Sequence, residues 1–185
     1  MSEEIFRPAP KRLILEKSRL IIHPEAEDAY RVWHEFHIQK PHFNHQIFTG
    51  YYQVLPKLIL GKIKEQYLFF ENFEYMYYVA SLNKPTSIHS LIIPESQKNI
   101  ELCAWAQVLQ IPFQNELNPA EFFNVLKRVA PLSILQKLMN TKRFDKTQFL
   151  KYYGLHKDTF GYYQSKIRDN HRKQLPKMSE WMKKS

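Results

Sequence analysis

The chain has 185 residues, 44% of them hydrophobic and 15% aromatic, with four glycines, so it is neither a disordered tail nor a low-complexity spacer. Its single cysteine, Cys103, excludes an internal disulfide and a thiolate-rich zinc site, and no apolar run reaches the length of a membrane span. The net charge of +9 is not spread evenly: residues 1–136 carry 14 Lys and Arg against 14 Asp and Glu, and residues 137–185 carry 13 against four. A neutral front and a basic end are the signature of a polyanion-binding module attached to something else. The opening MSEEIFRPAPKR lacks the apolar stretch of a signal peptide, so a cytoplasmic protein with no membrane partner is expected.

In chain order, Arg12–Leu15 and Arg19–Ile22 read as one or two strands. Pro24, followed by Glu25, Glu27 and Asp28, opens a helix to His37, with Ala29, Val32, Trp33 and Phe36 at helical spacing. Val54–Leu60 and Gln66–Glu71 read as two strands separated by a turn at Gly61-Lys62. Asn72 is placed to cap a helix carrying Phe73, Met76, Tyr77 and Ala80. Ile88–Ile93 is the next strand, closed by Pro94, and Ser96 is placed to cap a helix reaching Leu109.

From there every signal is helical. Asn118-Pro119-Ala120-Glu121 combines a capping residue, a first-turn proline and a glutamate three positions on, predicting a helix that stops near Ala130. Pro131 opens another through Leu132, Leu135 and Leu138. In the basic segment, Asp145 is a cap, Gln148 completes a capping box, and Phe144 staples against Phe149. Gly154 suits the left-handed residue that ends a helix, and a second helix starts near Lys157 with Phe160, Tyr163 and Ile167 inward.

A helix, a glycine turn, one buried leucine (Leu155) and a second helix make a helix-turn-helix over about 145–168. In that geometry the second helix lies in the major groove of double-stranded DNA. His156, Lys157, Asp158, Gly161, Tyr162 and Ser165 face outward there: Lys157 can donate to guanine and Asp158 can accept from cytosine, with Tyr162 and Ser165 in reach of bases or phosphate. Thr147, Lys151, Lys166, Arg168, Arg172 and Lys173 suit phosphate contacts. Asp158 faces repulsion from phosphate unless it meets a base, and Gly161 inside a helix costs about 1 kcal/mol relative to alanine.

His34, His37, His42 and His45 form two His-x-x-His pairs within 12 residues. Pro41 separates the pairs, and their spacing matches no recognised zinc module, so no metal is assigned and no cofactor is expected. A glycine-rich phosphate loop, a Ser/His/Asp signature and a nucleophile elbow are all missing. Cys103 sits in an apolar helical stretch and reads as a small packed residue. The expectation is a non-enzyme.

The order of these pieces resembles the ParB family, with its sulfiredoxin-like N-terminal domain and central DNA-binding domain. Val54-Leu55-Pro56-Lys57-Leu58-Ile59-Leu60 is similar to the family's first conserved strand, and Tyr67-Leu68-Phe69-Phe70-Glu71 to the strand before its Gly-Glu-Arg-Arg turn. Gln110 to Glu121 resembles the family's Glu-Asn-Leu-Gln-Arg-Glu-Asp-Leu-Asn-Pro-Leu-Glu, most closely at Leu117-Asn118-Pro119-Ala120-Glu121. The family's phosphate-holding turn falls on Asn72-Phe73-Glu74-Tyr75, without either arginine, and Gln110 and Gln114 stand at its Glu and Arg positions.

The expected architecture is therefore α+β: a small mixed domain of ParB/sulfiredoxin-like type over 1–116, then an all-helical helix-turn-helix domain over 117–185. The resemblance implies sequence-specific binding of duplex DNA without nucleotide hydrolysis, in partition, regulation or recruitment for a bacterial mobile element. Phe69, Phe70, Phe73, Tyr75, Tyr77 and Tyr78 then form structure or a partner-binding surface. The alternative is an adaptor whose α/β domain docks on a protein while the basic end contacts nucleic acid without sequence choice.

Overall fold

The computed structural model describes residues 10–15, 20–37, 58–63, 66–81, 86–93, 99–114 and 117–174. Within them the chain is mixed α/β and mostly helical, with five strands and seven α-helices. It divides into two compact units, Met1–Ile111 and Pro112–Ser185. The first has as many basic as acidic residues, 12 of each, whereas the second carries 15 against six and thus the whole net charge of +9.

The first unit is built on strands β1 (Pro10–Leu15), β2 (Leu20–Ile22), β3 (Leu58–Ile63), β4 (Gln66–Phe69) and β5 (Thr86–Ile93). They form one mixed sheet in the order β1-β5-β3-β4-β2. The β1–β5 and β3–β4 pairs are antiparallel, and the β3–β5 and β2–β4 pairs are parallel. Leu68 and Phe69 are neighbours on β4, so they point to opposite faces, and both are buried; this strand is covered on both sides.

β3 departs from the sequence reading. Gly61 and Lys62 do not turn; they lie inside the strand, paired with Leu68 and Tyr67, and Gly61 also pairs with Ile93 on the other side. A strand with a partner on both edges extends through a glycine that local propensity marks as a break. β4 ends at Phe69, two residues before the expected Glu71. Residues 54–57 and Ser96 lie outside the described residues.

A single 3-10 turn, Pro24–Ala26, leads into α1 (Glu27–His37). The His23 side chain caps it, Nδ1 accepting from the Glu25 N–H at 3.3 Å. Ala29, Val32, Trp33 and Phe36 are all buried, as their spacing predicts. Tyr30 meets Phe69 and Phe73 edge-on at 5.6 and 5.2 Å, joining α1 to β4 and to α2 (Phe73–Ser81). Phe70, Phe73, Met76 and Trp105, the last on α3 (Ile100–Gln114), are at most 2% exposed. The aromatic run from Phe69 to Phe73 therefore belongs to the core of this unit, not to its surface.

The start of α2 is a second departure. Asn72 adopts a left-handed conformation, with φ of 55°, and its side chain donates to Glu71 at 3.1 Å. The cap comes from far along the chain: Gln107 on α3 accepts from the Phe73 N–H at 3.1 Å and donates to the carbonyls of Phe70 and Cys103. The first orphan donor of α2 is thus satisfied by an amide 34 residues away. α3 itself runs past Leu109 to Gln114, with Pro112 inside it.

The second unit contains α4 (Pro119–Val129), α5 (Leu132–Leu138), α6 (Lys146–Tyr153) and α7 (Lys157–Gln174). Asn118 caps α4 by accepting from the N–H groups of Ala120 and Glu121, and Pro119 occupies the first position. Phe122, Leu126, Leu135, Phe149 and Phe160 are at most 1% exposed and make the core. Both α5 and α6 end in the same way. Asn140 and Gly154 are left-handed, and the next N–H reaches back five residues, from Thr141 to Gln136 and from Leu155 to Leu150.

Candidate nucleic-acid interface

The basic segment is positioned by devices local to it. Asp145 accepts from the Gln148 N–H at 2.9 Å and starts α6, while Phe144 meets Phe149 edge-on at 6.4 Å. At the other end Gly154, with φ of 64°, turns the chain, and His156 caps α7. Its Nδ1 accepts from the Asp158 N–H at 3.4 Å and lies 3.2 Å from the Asp158 carboxylate. The pair of helices is held by the Phe149–Phe160 contact at 6.2 Å and by Lys146, whose ammonium sits 4.5 Å from the Phe160 ring centre. Lys146 is a positioning residue the sequence did not single out, because the ring it covers is 14 residues further on.

α7 has a clear inside and outside. Phe160 is buried, and Tyr163, Gln164 and Ile167 are half-buried. At about 100° per residue, Asp158, Gly161, Ser165 and Arg168 fall in one row on the opposite side. All four are exposed, as are Lys157, Tyr162 and Lys166 beside them. Arg172 and Lys173 lie on the last turn of α7 described here. Thr147, Lys151 and His156 are exposed too, the first two on α6 and the third at the start of α7.

Tyr162 is 57% exposed and Lys166 holds its ammonium 4.5 Å from the ring centre. The Tyr162 phenol beside that ammonium raises the Lys166 pKa above the usual lysine value. The Ser165 hydroxyl donates back to the Tyr162 carbonyl at 2.8 Å. This face can offer cations, a phenol, and one exposed carboxylate with a histidine at its side. At the end of α6, the half-buried Tyr153 has its phenol pushed up by desolvation and packs against Phe122 and Phe149.

Of the clustered histidines, His34 and His37 lie one turn apart on α1. His37 stacks on Trp33 at 4.3 Å and its Nε2 lies 3.6 Å from Glu74, whose carboxyl is raised by burial. His34 meets the edge of Tyr77. His42 and His45 lie outside the described residues, and among the described residues no three His, Cys, Asp or Glu side chains converge as a metal site would require. Cys103 is half-buried, and desolvation raises its thiol, the opposite of an activated nucleophile. No described helix is long and apolar enough to cross a membrane.

No family model, curated protein or solved structure matches the chain.

Proposed function

We propose that this chain is a sequence-specific binder of duplex DNA, of ParB-like type, acting without nucleotide hydrolysis or other enzymatic activity. In this reading α6, the Gly154 turn and α7 are a helix-turn-helix, and α7 is the element that enters the major groove. One observation carries it: the exposed row of α7 lies opposite its buried face, in the unit that holds the entire net positive charge. Lys157, Asp158, Tyr162 and Ser165, near the start of the helix, take the base-reading role. Thr147, Lys151, His156, Lys166 and Arg168 surround them as phosphate and edge contacts, with Arg172 and Lys173 continuing along the helix.

The neutral first unit is then a ParB/sulfiredoxin-type domain that has lost its nucleotide. Where the resemblance puts a phosphate-holding turn, the Phe73 N–H is already taken by Gln107, and no arginine stands in residues 72–75. The work of such a protein is partition, regulation or recruitment for a bacterial mobile element, in the cytoplasm.

The test is selection of the chain's bound DNA from a random-duplex pool, repeated across a salt series. A single enriched motif is expected, and the double change Lys157→Ala with Tyr162→Ala should weaken binding to it by about tenfold to a hundredfold, leaving random-duplex binding nearly intact. Retention without any motif, fading steeply with salt, points instead to an adaptor with a generic phosphate-binding end. No retention at low salt ends both readings.

A further inference from the structure

Two glycines lie close together in the second unit, and only one of them has a reason inside the molecule. Gly154 is left-handed and closes α6. Gly161 sits within α7, in ordinary helical backbone, where glycine is the least favourable residue after proline. A Cβ built on Gly161 meets nothing within 4 Å. Among the described residues no neighbour needs the space, and no turn needs the conformation.

The surroundings of Gly161 have a common character. The row it occupies runs Asp158, Gly161, Ser165, then Arg168: short side chains for the first two turns of α7, a long cation after them. The Ser165 hydroxyl is folded down onto the Tyr162 carbonyl of its own helix, while the Asp158 carboxylate stays exposed with His156 beside it. The line through Gly161 thus has bare backbone at its middle, with the exposed Lys157 and Tyr162 to its sides and the long Arg168 behind it.

We propose that Gly161 is the point of closest approach between α7 and the base-pair edges of duplex DNA, and that any side chain there holds the helix off the groove floor. This rests on the DNA reading given above. In such a pose the bare backbone at Gly161 faces the groove floor while Arg168 and the residues beyond it reach phosphate at the rim. Lys157, Tyr162 and Lys166 flank the line of approach. Gly161 is a steric gauge for docking rather than a group that bonds to the base.

The experiment pairs stability with binding in the full chain. Gly161→Ala and Gly161→Leu are compared with wild type by thermal unfolding and by titration with the duplex recovered from selection. Gly161→Ala is expected to raise the unfolding midpoint by about 3–6 °C, because alanine favours the helix, and yet to weaken binding about tenfold. Gly161→Leu should weaken it further. A lowered midpoint for Gly161→Ala would mean that the glycine serves the fold, and would overturn the proposal. So would a stabilised variant that binds as tightly as wild type, while the wild type's own binding leaves the DNA reading standing. If the wild type recovers no duplex, that reading falls and this inference with it.

Discussion

The two units reach a packed interior by opposite routes. In Met1–Ile111 the chain satisfies itself at long range: β1 pairs with β5, and the first amide of α2 is capped by Gln107 on α3. In Pro112–Ser185 four helix ends are closed by a residue within five positions, at Asn118, Asn140, Asp145 and Gly154. The first unit is electrically neutral, and the second holds all the net charge. Local closure leaves the outer faces of short helices free of structural duties, so they can carry cations and small residues. A unit tied together across the sheet has fewer positions to spare.

The largest test of that contrast is Phe149→Ala. Phe149 is fully buried against Phe122, Phe123 and Phe160, and its loss should cost the second unit about 3–5 kcal/mol. Far-ultraviolet circular dichroism should then show an early helical transition. The near-ultraviolet signal of Trp33 and Trp105, both buried in the first unit, should melt at its original temperature. If both signals move together, the two units are one cooperative body.

Gly154→Ala comes next. Nothing crowds a Cβ at Gly154, so the cost is the left-handed backbone alone, about 1–2 kcal/mol. Denaturant titration should show a destabilised second unit, opposite in sign to the effect expected at Gly161. Equal signs would remove the distinction drawn between the two glycines.

The smallest effect belongs to the first unit. Burial raises the Glu74 carboxyl above the usual range, so the folded state binds a proton more readily than the unfolded one. As the pH rises from the ordinary carboxylate range through the raised value, stability is lost. Glu74→Gln should raise the midpoint slightly at pH 7 and leave it unchanged near pH 4, by well under about 1 kcal/mol, since the side chain is 34% exposed. A larger loss at neutral pH would instead show that the His37–Glu74 contact, at 3.6 Å, holds α1 to α2.

The same contrast explains what could be read from the residues alone. The helices of the second unit were legible because their caps, staple and left-handed ends lie beside them in sequence, as at Asp145, Phe144 and Gly154. Within the first unit β3, β4 and β5 were legible as strands and β1 and β2 only as one or two, and the order of the sheet was not legible. Gly61 reads locally as a turn and becomes strand only through Leu68 and Ile93. Asn72 is a plausible cap by type, yet Gln107 does the work from 34 positions away, with no local signal to announce it. Of the candidate interface, the outward row of α7 follows from helical spacing. That Gly161 is unobstructed, and that Lys146 covers Phe160, required coordinates.

The placement of β5 also governs the order in which the molecule can be made. It pairs with β1 on one side and β3 on the other, so a chain emerging from the ribosome can form only the β3–β4 hairpin and the β2–β4 pair before Thr86–Ile93 arrives. Until then β1 and one edge of β3 expose unpaired backbone, the kind of edge that recruits other chains. High sequence separation makes this closure slow. The helices that follow have short-range contacts and can form as they emerge, so the nascent chain is most prone to aggregate after β3 and β4 emerge and before Ile93 does.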